Sequence, residues 1–547
     1  MMLTIKNNSS MILVLLLGAL WYGWVFTQYS PDTSIRSDGT IKYKKIVDWT
    51  EYRDFYYHYQ YRELDPERRG ISSILSGSAP HRATYKGHEV ITYPEFFTIL
   101  GAVWQSVTSP HWLFLVPVFL GMLELAGFVF LARNIIGLTH TMSFLGGAIL
   151  LFGTPQFLFN LQLQEVVLAS SLTLWSISLL SLSRNRRSSL LAMVAGLLLA
   201  MAFFNRQEVI FAGFICCVAI LIVSELDDDF GFELNLGRIW KRHGLVLTYG
   251  LTFLGGFVLY LVYNQVYFGA PLGVRYYAVL DAGSGFAHRW HIFSSLIFGS
   301  FDSRAPVLGL LAQLPLLVLL PILYFYVRTE LRGPIRWIVP SSMVGTLLIC
   351  LASPNDSWGG TWGPRFTMVV HGILIVSLVA VLEKAWFRFR RNRSRILLLG
   401  AGVVLLIGTL AVTVIGWKLE KFTISYVEEL QNDIHQLHGA PILAVSDIYY
   451  YAGLTILDSP MLEVKGGKTM ASDVDYFLNR AKIMDAGDFV VFHSDFFSEK
   501  EKSKYSMFES ILEKKGFVLK PISETSPGHV RFLKLQASPN ANVSRAL

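Results

Sequence analysis

The stretch RFTMVVHGILIVSLVAVLEKAWFRFRRNRSRILLLGAGVVLLIGTLAVTVIGW, residues 365–417, decides the fold. It holds two apolar runs, 366–383 and 396–417. Each is close to the roughly 20 residues that a helix needs to cross bilayer hydrocarbon. Six basic residues separate them: Lys384, Arg388, Arg390, Arg391, Arg393 and Arg395. Lys and Arg resist translocation, so the loop stays in the cytoplasm and both outer ends face away from it. After Trp417 the apolar pattern stops, and a soluble segment begins on the far side.

Nine further runs of the same kind precede this hairpin, at 11–27, 111–131, 137–154, 166–183, 189–204, 208–224, 245–265, 306–327 and 337–353, which makes eleven expected spans. With a cytoplasmic N-terminus, the other inner loops hold Arg133, Arg184, Arg186, Arg187, Arg238, Lys241, Arg242, Arg328, Arg332 and Arg336, bringing the inner total to sixteen. The short outer loops hold five: Arg206, Arg275, Arg289, Arg304 and Arg365. Strict alternation with that imbalance fixes the expected orientation. The loop at 28–110 is outside and too long for the charge rule. Met11–Phe26 lacks a basic leader and a small-residue cleavage site, so it reads as a retained signal anchor.

Composition agrees. Of 547 residues, 52% are hydrophobic and only 16% charged, where soluble domains carry roughly a quarter charged residues. A net charge of +7 would suggest nucleic acid in a soluble protein. Here membrane topology accounts for it, and no nucleic-acid partner is expected. Cys216, Cys217 and Cys350 all lie inside apolar runs, so neither a disulfide framework nor a CxxC metal pair exists.

Beyond 417 the pattern is α/β. Phe422–Leu437 reads as a helix, and Ile442–Ser446, Phe489–His493 and Val530–Leu535 as short strands. Ser498 and Glu501 form a capping box for a helix ending near Gly516. The expected fold class is mainly α: a polytopic transmembrane helical bundle (1–417) with a C-terminal soluble α/β domain (418–547). Two segments of the outer loop stand apart. The aromatic stretch Thr50–Glu63 suits a helix lying in the headgroup layer, and the short apolar Tyr93–Val107 lies along the outer surface or dips in.

Soluble-enzyme motifs are absent, so chemistry is sought where polar residues face the outer surface. Asp38, in Ser37-Asp38-Gly39, reads either as a general base for an acceptor hydroxyl or as an Asp-Gly turn. Asp32 is a rival in the same loop. Arg275, after Tyr263–Leu272, can bind a lipid phosphate or snorkel as part of an aromatic belt. In Ser357–Phe366, Arg365 offers a planar fork for phosphate, while Trp358 and Trp362 can stack on sugar or anchor at the interface. Arg206 and Glu208, in Asn205-Arg206-Gln207-Glu208, read as a self-paired turn or as substrate-lining groups. His81 and His88 are a loop pair to which no metal is assigned.

The order and sidedness of these elements carry a resemblance. An early outer Asp is followed by Tyr93-Pro94-Glu95-Phe96, then Phe203-Phe204-Asn205-Arg206-Gln207-Glu208. Next come Tyr263-Asn264 with Phe268-Gly269-Ala270-Pro271-Leu272, and finally Trp358-Gly359-Gly360-Thr361-Trp362-Gly363-Pro364-Arg365-Phe366. Over residues 10–420 the chain resembles the GT-C superfamily of membrane glycosyltransferases, and looks closest to bacterial relatives of protein O-mannosyltransferases and aminoarabinose transferases. The resemblance implies a polyprenyl-phosphate sugar donor used on the outer face of a bacterial inner membrane. It also implies inversion at the anomeric carbon and an acceptor that is a lipid-linked glycan or a protein. Asp38 matches the place of the family's catalytic carboxylate, Tyr93 falls in a motif lining the substrate, and Gly39 stands where many relatives carry a second acid. Membrane lipids are the remaining partners, and no cofactor is called for. Three other readings compete. One is an O-antigen-ligase-like transfer of a preassembled glycan. Another is a lipid or solute transporter, for which repeated halves are missing. The third is a non-catalytic envelope assembly protein.

Overall fold

The computed structural model describes residues 9–36, 38–58, 82–86, 88–223, 244–273, 286–300, 308–353, 365–389, 392–437, 439–445, 452–457, 461–464, 469–483, 490–494, 499–521 and 530–537. The chain divides into two compact units. The first comprises Met1–Gln28, Pro94–Trp104 and Leu113–Glu420; the second comprises Tyr29–Tyr93, Gln105–Trp112 and Lys421–Leu547.

The first unit is helical. Among the described residues, seven helices are long and apolar enough to cross a membrane: Ser9–Gln28, Pro110–Ile135, Glu165–Arg186, Leu247–Phe268, Ile335–Ala352, Arg365–Arg388 and Arg393–Gln436. Four shorter apolar helices, His140–Phe152, Ser189–Asn205, Ile210–Ile220 and Pro315–Val327, fall on the other runs read from the sequence. The chain is thus a mainly helical membrane protein. Arg365–Arg388 and Glu165–Arg186 form the centre, with 89% and 83% of their apolar windows buried, against 6% for Arg393–Gln436 and 17% for Leu247–Phe268. A two-residue turn joins Glu165–Arg186 to its neighbour Ser189–Asn205: Arg187 takes a left-handed φ of 52°, and the Ser188 hydroxyl accepts from Leu191 N.

The run expected as one span at 306–327 is not one helix. Leu310–Gln313 is followed by a 3-10 turn at Pro315–Val318 and then by Leu319–Val327. Pro315 offers no N–H to continue the ladder, which ends the first helix.

A buried polar chain crosses this apolar centre. Glu124, fully enclosed, accepts from Gln156 Nε2 and Ser170 Oγ. Gln156 Nε2 also donates to Asn160 Oδ1 at 3.2 Å, and Asn160 Nδ2 donates to the Tyr22 hydroxyl. Every polar group buried among apolar helices needs such partners. Gly121 leaves the space in which Asn160 sits, and a Cβ there would collide with its amide. Gly121→Ala should therefore cost roughly 1–3 kcal/mol, the penalty for leaving buried polar groups unsatisfied. The check is the thermal unfolding of the detergent-solubilised chain; an unshifted midpoint would show that Asn160 relocates freely.

The second unit joins the outer loop to the C-terminal segment. Its helix Asp38–Tyr52 is buried along most of its length, including Lys42, Lys44 and Lys45. Each of these lysines lies over a ring: Lys42 at 4.7 Å from Tyr93, Lys44 at 5.0 Å from Tyr57, Lys45 at 5.5 Å from Phe55. A desolvated cation gains most from such contacts. Lys44 is also paired with Asp48, and the ends of that pair are tied to the His58 backbone through Lys44 Nζ to O and His58 N to Asp48 Oδ2. Burial pushes the Asp48 carboxyl up despite Lys44, and pushes the Lys44 amine down.

The aromatic segment expected as a surface helix behaves differently. The helix ends at Tyr52, Arg53 takes a φ of 59°, and the chain becomes extended. Tyr56 then pairs with Val90, and Tyr57 N donates to Glu89 O. Alternating aromatic residues suit an extended edge better than one helix face; the remainder, 59–63, lies outside the described residues. Val90 belongs to a small hairpin of β1 (Arg82–Tyr85) and β2 (His88–Ile91), and the apolar segment that follows is the helix Glu95–Val107.

The rest of this unit is a five-stranded sheet. Its strands are β3 (Ile442–Ala444), β4 (Met461–Glu463), β5 (Val490–Ser494), β6 (Phe517–Pro521) and β7 (Val530–Ala537), in the order β4-β3-β5-β7-β6. β3 is parallel to both β4 and β5, while β7 is antiparallel to β5 and β6. The helix Met470–Ile483 makes the crossover from β4 to β5, burying Met470, Val474 and Phe477. The helix Glu499–Lys514 precedes β6, and Gly516, at φ 79°, turns the chain out of it. Ser498, the expected cap, lies outside the described residues.

Candidate functional site

In the second unit, Asp38 is the first residue of its helix and is buried. The Asp-Gly pair read as a turn is thus a helix start, where an acidic side chain is favoured by the helix dipole. Gly39 N donates to Arg36 O at 2.9 Å and closes the entry. Lys42 and Lys45 stand four and seven residues on, so Asp38 shares their helix face. Both lysines converge on Tyr93, Lys42 over its ring and Lys45 donating to its carbonyl. Tyr93, expected to line the substrate, is itself enclosed by the lysines of that face.

Asp32, the rival carboxylate, sits in a 3-10 turn at Pro31–Ser34 and bonds His111 Nδ1 through both oxygens, at 3.0 and 3.1 Å. Ser30 N donates to Glu428 Oε1 at 3.3 Å. The segment before Asp38 is therefore tied at successive points to other parts of the same unit.

In the first unit, three of the motifs meet. Arg206, buried, pairs with Glu165 at 3.2 Å and Glu208 at 2.9 Å. Its guanidinium lies 5.3 Å from the Phe366 ring, and that of Arg365 lies 5.4 Å from the same ring. Gln207 Nε2 donates to Leu272 O at 2.8 Å and to the Tyr260 hydroxyl, which itself donates to Leu272 O at 3.0 Å. Asn205–Glu208 is thereby locked to the Tyr263–Leu272 turn on one side and to Arg365-Phe366 on the other. Glu208 completes the expected self-paired turn. Glu165, however, was missed: it lies just before the apolar run that begins at 166, and it neutralises Arg206 from another helix.

Arg365 is buried in a 3-10 turn, Arg365–Thr367, that opens the central helix Met368–Arg388. A guanidinium held there by a ring presents a fixed fork, the geometry that suits phosphate or carboxylate. Arg275, Trp358 and Trp362 lie outside the described residues. Among the described residues there is no group of three His, Cys, Asp or Glu side chains able to hold a metal.

No family model and no curated sequence matches the chain. Solved structures do. The oligosaccharyltransferase of Archaeoglobus fulgidus superposes with a TM-score of 0.54 at 11% identity, over 98% of this chain and 75% of that one. The same enzyme tethered to an acceptor peptide gives 0.54 at 12% identity, over 97% and 74%. ArnT from Cupriavidus metallidurans, bound to undecaprenyl phosphate, gives 0.50 at 10% identity, over 96% and 98%. At such identities the likeness concerns architecture, and it extends over almost the whole length of this protein. The chain shares the fold of that oligosaccharyltransferase and of ArnT.

Proposed function

We propose that this protein is an integral membrane glycosyltransferase that moves a sugar from a polyprenyl-phosphate donor to an envelope acceptor, with inversion, on the outer face of a bacterial inner membrane. The observation that carries the reading is the shared fold. One neighbour was solved with undecaprenyl phosphate and another with an acceptor peptide. The reading takes eleven spans, a cytoplasmic N-terminus and an extracytoplasmic C-terminal domain, in line with the inner-loop basic residues. The acceptor is a lipid-linked glycan or a protein.

Asp38 is the general base in this reading. The acceptor oxygen attacks the anomeric carbon, its proton passes to the Asp38 carboxylate, and the bond to the lipid phosphate breaks with its electron pair going to the phosphate. Inversion needs one base and no covalent intermediate. Charge grows on the departing phosphate, where a fixed cation stabilises it. Arg365 has that role, aided by Arg275, and Trp358 and Trp362 flank the sugar. Arg206 and Glu208 serve as framework, because two carboxylates already neutralise Arg206. Mass spectrometry of envelope glycans from cells lacking the gene should show one sugar residue missing, restored by the intact gene. Identical glycans in both strains would argue against glycosyl transfer.

A further inference from the structure

We infer that the C-terminal domain positions the candidate base, through Gly453 and its contacts with the loop and helix that carry Asp38. This rests on the reading of Asp38 as the base. Gly453 opens the 3-10 turn Gly453–Leu457, on the connection between β3 and β4 of the C-terminal sheet. It is buried, and its φ of 57° lies in the left-handed region that favours glycine. Its N–H donates to the Thr40 hydroxyl at 3.3 Å, in the first turn of the Asp38 helix. A Cβ at this position would run into the Ile35 carbonyl oxygen and the Gln431 amide. The hydrogen bond and the close approach thus bracket Asp38, one touching the chain three residues before it and the other two residues after.

The rest of the loop is held in the same way. Glu428 accepts from Ser30 N, and Gln431, one turn further along the same helix, lies against Gly453. Thr455 Oγ1 donates to Ala452 O at 2.7 Å and fixes the turn itself. Ala452 and Thr40 are both buried, so this is an interior packing contact within the second unit. The turn therefore sets where the Asp38 carboxylate begins its helix. Gly453 and Thr40 are positioning residues: they touch no reacting atom and act through the backbone beside Asp38. The C-terminal domain has a part in catalysis without supplying a catalytic group.

The test uses the full chain in cells lacking the gene, at matched membrane levels. It reads the rate at which the missing sugar residue reappears on envelope glycan. Undecaprenyl phosphate binding to the detergent-solubilised chain is measured in parallel, together with amide exchange at Ile35, Gly39 and Thr40. Gly453→Ala should slow transfer roughly 10²-fold, the scale of a misplacement near 1 Å. Thr40→Val, which removes the acceptor without adding bulk, should slow it about tenfold, and Thr40→Ser should restore it. Undecaprenyl phosphate binding should be unchanged, and exchange at the three amides should accelerate in both slow variants. If Gly453→Ala does not reach the membrane, Thr40→Val and its Ser rescue decide alone. Normal transfer in Gly453→Ala and Thr40→Val, with Asp38→Asn inactive, overturns the positioning role and leaves the base standing. Slow transfer with lost phosphate binding overturns it as general damage. Normal transfer in Asp38→Asn overturns the base itself, and the exchange data then decide separately whether Gly453 holds the loop.

Discussion

Arg365→Ala should weaken binding of undecaprenyl phosphate roughly ten- to a hundredfold, the equivalent of the 1.5–3 kcal/mol that a hydrogen bond to a charged group supplies. Arg365→Lys should fall between Ala and the native chain. Lys keeps the charge, but it replaces the planar fork with a mobile point donor. The expectation follows from how Arg365 is held. It is buried in the turn that opens the most enclosed of the long apolar helices described, beside the Phe366 ring that also meets Arg206. Two carboxylates compensate Arg206. Binding is measured on the detergent-solubilised chain, with thermal unfolding as the control for packing, because truncating a buried Arg also removes contacts. Unchanged affinity in both variants, with normal unfolding, would assign Arg365 to packing against Phe366.

The long apolar helices were legible because membrane hydrocarbon imposes a simple demand, about 20 apolar residues in a row. The break after Leu314 was visible only as Pro315 inside an apolar run. Pairings between helices left no such trace. Glu124 stands far from Gln156 and Ser170 in sequence, and nothing local announces that it accepts from both. Glu165 leaves no signal because the apolar run begins at Val166, so a helix-opening carboxylate reads as loop.

The outer loop was harder to read. Lys42, Lys44 and Lys45 look like a solvated helix face, yet all three are buried against rings supplied by residues 55–93. Asp38-Gly39 carries the signals of a turn and of a helix N-terminus at once, and only packing decides between them. In the C-terminal segment β3, β5 and β7 follow apolar, branched runs. β4 covers three residues, Met461–Glu463, too few for a periodic pattern to show. Gly453 lies in a loop whose composition says nothing of Thr40 or Ile35, more than 400 positions away.

Asp38→Asn gives the most direct test of the central claim. The acceptor hydroxyl attacks well only if its proton is taken as the new bond forms, and removing the general base typically costs 10²–10⁴-fold. Asn preserves the size of Asp38 and keeps an acceptor oxygen in place of the carboxylate, so chemistry is separated from folding. Asp32→Asn is the matched control, since Asp32 is engaged by His111. The measurement is the rate of sugar addition to envelope glycan, by mass spectrometry, in cells carrying each variant in place of the native chain, with undecaprenyl phosphate binding measured alongside. The account predicts a loss of roughly 10²–10⁴-fold for Asp38→Asn, with binding kept, and a much smaller loss for Asp32→Asn. Normal transfer by Asp38→Asn with inactive Asp32→Asn would move the base to Asp32; normal transfer by both would contradict the mechanism.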